Sequence, residues 1–219
     1  MTERSTKDLI EMLAAEAKPA RPLPAPALSA ALWLGIAGLF VAAIVLFGHS
    51  RPNLIGIISD PGQAILFAGF LLTAIVSAWA AFTIGFPETD GRWGLAPTPA
   101  IALCLLGAGI GCYADWLRLG PEGLRLGTSF SCLAWIAAVS LPIDALMLVL
   151  LRHAAVIRPR LALILGMMAA ASLSAAALML IHELNTTLMI FIWHFGAIGL
   201  LVGLASFGGP LFRRFVLPG

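Results

Sequence analysis

The residues able to do chemistry are few and widely spaced. Three cysteines (Cys104, Cys112, Cys132) and four histidines (His49, His153, His182, His194) carry the thiol and imidazole donors. Cys132, His182, Glu183 and His194 together form a donor set that suits zinc or a similar ion. Their separations match no metal-motif spacing. The other chemical possibility is a thiol pair of Cys112 and Cys132, which needs their Cα atoms within about 7 Å. Against both stands a plain structural role. A cysteine in apolar surroundings packs as a small hydrophobe, and a histidine there can simply bond a neighbouring helix. Asp144 lies two residues beyond Pro142 in an apolar run, where a carboxylate needs a partner or a proton. No Gly-rich phosphate loop, HExxH helix, nucleophile elbow or acid pair at catalytic spacing occurs. The chain is therefore expected not to be an enzyme and to need no cofactor.

Composition identifies the elements that position these residues. Of the 219 residues 60% are hydrophobic and 11% charged, against about 25% charged in a soluble domain. Six stretches reach the roughly 20 apolar residues that a bilayer core requires: Ala27–Gly48, Gly62–Phe86, Leu95–Ala114, Ser129–Leu151, Leu161–Ile181 and Thr187–Phe207. Lipid forces backbone polar groups to bond internally. Barrel strands would be shorter and would alternate in polarity. The expected fold is all-α: a polytopic membrane protein with a six-transmembrane-helix bundle. The first stretch follows 26 polar and proline-rich residues, so it reads as a retained helix and not a cleaved leader.

Arg4, Lys7, Lys18, Arg21, Arg92, Arg152, Arg158, Arg160, Arg213 and Arg214 fall on the side of the N-terminus, and only Arg51, Arg118 and Arg125 on the other. This bias of ten to three places both termini in the cytoplasm. The net charge of +2 is too small to point to nucleic acid. On this topology Cys112, Cys132, His182 and Glu183 lie at the outer ends of their spans, and Cys104 lies mid-membrane. His194 sits about two turns inside the sixth span, while His49 and His153 fall in loops. The longest loop, residues 115–128 with Trp116, is expected in the membrane interface. Spans 3 and 4, joined by this loop, are expected to be antiparallel neighbours, which is the basis for pairing Cys112 with Cys132. Pro142 frees the carbonyl of Ala138 and predicts a kink, a candidate hinge. Small residues from Ala169 to Ala177 predict close approach of the fifth span to its neighbours.

Residues 1–26 form a cytoplasmic segment, residues 27–207 the transmembrane domain and residues 208–219 a cytoplasmic tail. In the first segment a short amphipathic helix is expected over residues 5–18, with Ser5 or Thr6 as N-cap and Asp8 in the first turn. Leu9, Ile10, Met12, Leu13 and Ala17 share one side; Lys7, Asp8, Glu11 and Lys18 share the other, and Glu16 intrudes on the apolar arc. Four acids and three bases through Lys18 make a mixed face. A lipid anchor would be more basic, so Leu9, Ile10, Met12 and Leu13 read as a partner-binding face. Pro19, Pro22, Pro24 and Pro26 favour extended geometry and form a spacer.

These residues leave several functions open. One is a regulator with a cytoplasmic recognition helix. Another is a small six-helix transporter or channel using Asp144 and His194. A haem-binding electron carrier fares worst, because His194 has no evident axial partner.

The ordered series Cys132-Leu133, Ser140-Leu141-Pro142, Leu151-Arg152-His153-Ala154, Arg158-Pro159, His182 and Trp193-His194 resembles the NrsF-type anti-sigma factors. Thr6-Lys7-Asp8-Leu9-Ile10 and Arg21-Pro22-Leu23 also fit. The resemblance runs nearly end to end. It implies a six-helix regulator in the bacterial inner membrane that holds an extracytoplasmic-function sigma factor through its N-terminal helix and releases it on a periplasmic or membrane stress signal. It also implies sensing by two cysteines, at Cys132 and directly after His182. This chain has Glu183 at the second position, so a thiol switch between those two sites is excluded here.

Overall fold

The computed structural model describes residues 6–16, 24–48, 57, 59–128, 130–152, 157–181 and 186–216. Seven α-helices, and no strand, occur among the described residues: α1 Thr6–Glu16, α2 Pro26–Phe47, α3 Pro61–Thr83, α4 Thr98–Leu119, α5 Phe130–Arg152, α6 Pro159–Ile181 and α7 Thr187–Val216. Short 3₁₀ helices follow at Gly91–Leu95 and Gly120–Leu124. Six of the helices, α2 to α7, are long and apolar enough to cross a membrane. The chain is a multi-pass membrane protein.

The helix ends have local causes. Pro26 and Pro61 occupy the first turns of α2 and α3, where a missing N–H costs nothing. Asp60 caps α3 by accepting from the Gln63 N–H at 3.0 Å. Gly120 ends α4 with a φ of 62°, a left-handed conformation that glycine adopts without strain. The expected spans agree with the helices at most ends. Two differ. α4 runs on to Leu119, past the expected end at Ala114, and α7 continues to Val216, past Phe207.

α6 is the central post. It packs against α2, α3, α5 and α7, and 72% of its most apolar window is buried, more than in any other span. Its run of Ala169 to Ala177 is entirely within the core, the close approach that small residues permit. α4 lies outside this ring, zipped along α3. Gly62 meets Gly111, Leu66 meets Gly107 and Gly69 meets Cys104. A Cβ added at Gly107 would fall 2.5 Å from the Leu66 nitrogen.

Two cores fill the bundle. The one on the side of the α2 N-terminus, here the tail side, gathers Trp33, Phe82, Ile143, Met147 and Leu165. The far-side core gathers Leu66, Phe70, Cys104, Cys132, Ile136 and Ile190.

α4 and α5 are not packed neighbours, contrary to expectation. α4 rests on α3 and α7, whereas α5 rests on α6, α7 and α2. The linking segment crosses the far end of α7 instead of turning tightly. Trp193 Nε1 donates to the Gly127 carbonyl at 2.9 Å, and Gly127 lies against Met189.

Candidate functional site

The tail helix comes first in the chain. Leu9, Ile10, Met12 and Leu13 are all exposed, Ile10 at 61% and Leu13 at 57%. None belongs to either core. The order i, i+1, i+3, i+4 puts them on one side of α1, with Asp8 in its first turn, as the amphipathic pattern requires.

Trp33 is the link between α2 and the rest of the bundle. It is fully buried, and its Nε1 donates to the Ile143 carbonyl at 3.2 Å. Ile143 follows Pro142, the proline inside α5. The span that continues from the tail is thus bonded to α5 at its proline turn.

Asp144, the next residue, is 5% exposed, and its Oδ2 has no hydrogen-bond partner among the described residues. It lines a cavity of about 20 Å³ with Met147, Leu151, Leu163, Gly166 and Met167, room for one water. His194 is fully buried in the other half of the bundle, its ring 5.8 Å from that of Phe70. The two residues of the transporter alternative therefore lie against different cores.

On the far side, Cys132 is buried in the core and Cys104 is buried against Gly69. Cys112 is half-buried. All three are thiols. With α4 and α5 unpacked, adjacency of their helices no longer argues for a Cys112–Cys132 pair. His182 and Glu183 lie outside the described residues, as do His49 and His153. Among the described residues no group of three His, Cys, Asp or Glu side chains is placed to hold a metal.

A constellation that sequence reasoning missed stands at this end. Asp115, 4% exposed, accepts from the backbone N–H of Thr187 through Oδ2 at 2.7 Å. Its Oδ1 accepts from Arg118 Nη2 at 2.7 Å. One carboxylate therefore caps the first turn of α7, a favourable place for negative charge, and clasps it to α4. Gly111 makes room by lying against Thr187. Below this clasp the two helices flank an apolar cavity of about 210 Å³, lined by Ile101 and Cys104 on one side and Phe195, Ile198 and Val202 on the other.

Comparison with known families settles the class. The family model described as negative regulator of sigma F (NrsF) matches residues 13–215. The chain belongs to the NrsF family. Membership makes it a negative regulator of a sigma factor, and a sigma factor its partner. The family is one of regulators and not of known enzymes. The matched region of this NrsF member takes in all six spans and Leu13, and it begins after Leu9, Ile10 and Met12. No curated protein and no solved structure matches the chain.

Proposed function

We propose that this NrsF member holds an extracytoplasmic-function sigma factor at the cytoplasmic face of a bacterial inner membrane through α1, and releases it when a stress signal reaches the far side of the bundle. The exposed apolar face of α1 carries this reading. Leu9, Ile10, Met12 and Leu13 present the i, i+3, i+4 pattern of a helix seated in a partner's groove. Residues 19–23 of the expected proline spacer lie outside the described residues. The far-side residues Cys132, Cys112, His182, Glu183 and His194 are the proposed sensing group, and Pro142 the proposed hinge. The bond from Trp33 to the Ile143 carbonyl gives a route, since a shift of α5 at its proline turn moves the anchor of α2. Turning a 99:1 bound state into a 1:99 one needs about 5.5 kcal/mol of differential affinity, more than one hydrogen bond supplies at about 1 kcal/mol. Several contacts must therefore change together.

The test is co-purification of the sigma factor with the detergent-solubilised chain. Burying one leucine stabilises by about 1.5–3 kcal/mol. Leu9→Glu or Leu13→Glu should each weaken capture at least about tenfold while membrane insertion is unchanged. Full retention of the partner by both variants would sink the proposal. In the same assay Pro142→Ala should hold the partner but fail to release it on induction, and wild-type release would remove the hinge.

A further inference from the structure

The tail-side end of α6 is built differently from the other helix ends. Residues 84–97 fold back onto it. The Ile157 N–H donates to the Gly85 carbonyl at 3.3 Å, Arg158 Nη1 donates to the Thr89 carbonyl at 2.7 Å, and Gly94 lies against Leu161. Beside this seam opens a groove of about 350 Å³ lined by Arg158, Pro159, Arg160, Leu161 and Ile164.

Its chemistry is ordered along the helix axis. Two guanidiniums stand at the end of the span. Leu161 and Ile164 lie within the next turn or so, Ile164 about 6 Å along from Arg160 at 1.5 Å per residue. Neither guanidinium meets a carboxylate among the described residues. The nearby Asp90 is engaged with Arg92 at 3.7 Å. Arg158 spends one donor on Thr89 and keeps the rest of its fork, and Arg160 is exposed.

We propose that this groove binds an anionic phospholipid of the leaflet on the tail side. A phosphate would sit between Arg158 and Arg160, where planar guanidiniums recognise it through paired N–H donors. The first part of an acyl chain would lie on Pro159, Leu161 and Ile164. A free phosphate has no use for the aliphatic wall. A zwitterionic lipid carries its own cation to the two positive charges. Basic pockets at the ends of spans recognise lipid headgroups in this way. Which leaflet supplies the lipid rests on the orientation proposed above; binding itself depends neither on that orientation nor on the sigma partner.

The test is native mass spectrometry of the full-length, delipidated chain titrated with phosphatidylglycerol and with phosphatidylcholine of the same acyl chains. Phosphatidylglycerol should bind at least about tenfold tighter. At about 1 kcal/mol per basic residue near the headgroup, Arg160→Gln should cost about fivefold, and Arg158→Gln with Arg160→Gln should erase the preference. Arg160 makes no bond within the described residues, so its single variant reports on binding and not on folding. Arg92→Gln, outside the groove, should change nothing. Equal binding of the two lipids, or an unchanged preference in Arg160→Gln, would overturn the proposal. If inorganic phosphate displaces the lipid at equal concentration, the groove is an anion site and the lipid assignment fails.

Discussion

Asp115 shows how much one side chain can do at a helix junction. Its two oxygens satisfy the Thr187 N–H and the Arg118 guanidinium. Asp115→Ala removes both bonds and uncaps α7, which should destabilise the protein by about 2–3 kcal/mol. Asp115→Asn keeps an acceptor for Thr187 and should cost about 1 kcal/mol. Arg118→Gln should cost less still, because the Arg118 side chain is 63% exposed and surface ion pairs are worth about 0–1 kcal/mol. Thermal unfolding in one detergent would rank the three, and an Asp115→Ala protein that melts with the wild type would show that the clasp holds nothing. In the sequence Asp115 looked like the first residue of a loop, because a charge closed an apolar run. The i, i+3 spacing of Asp115 and Arg118 was visible and marks a helix that continues. Its bond to Thr187, 72 residues on, was not, since nothing local records which helix end lies opposite. Leu9, Ile10 and Leu13 were legible because amphipathic spacing is a local property and their exposure follows from it.

At the scale of elements, hydropathy located all six spans, and the small residues of α6 foretold its close approach to its neighbours. The α3–α4 zip went unread, although Gly62, Gly69, Gly107 and Gly111 recur at helical spacing on both partners. Periodicity shows that a helix has a face of small residues but not which helix will meet it. The same ignorance made α4 and α5 neighbours on the strength of a short connection. The zip gives a paired prediction within α4. Gly107→Ala pushes a methyl group into the Leu66 backbone and should cost about 1–3 kcal/mol. Gly109→Ala, two residues on, meets nothing within 4 Å and should be neutral or stabilise by up to about 1 kcal/mol. Equal losses in both variants would argue that the seam is not close-packed.

For the whole molecule, the ten-to-three bias of basic residues places the tail, the Arg158–Arg160 groove and the C-terminus on one side, and the Asp115 clasp on the other. A reporter fused after Gly219 should be active only in the cytoplasm. Activity confined to the periplasm would invert the proposed orientation while leaving the helix packing untouched. The division of labour follows from where charge can be kept. The tail-side end carries the arginines of the groove and the exposed apolar face of α1. At the far end the buried carboxylate of Asp115 is engaged through both oxygens, and the middle holds polar groups that a membrane tolerates only when enclosed.

The position of α6 has a bearing on how the molecule comes into being. Ribosomes deliver the chain N-terminus first, so α1 is made before α2. The post around which α2, α3, α5 and α7 assemble begins only at Pro159. Three of those four, α2, α3 and α5, are thus made before the helix they surround. A chain interrupted between Phe47 and Pro159 carries α1 on a scaffold that lacks its central post.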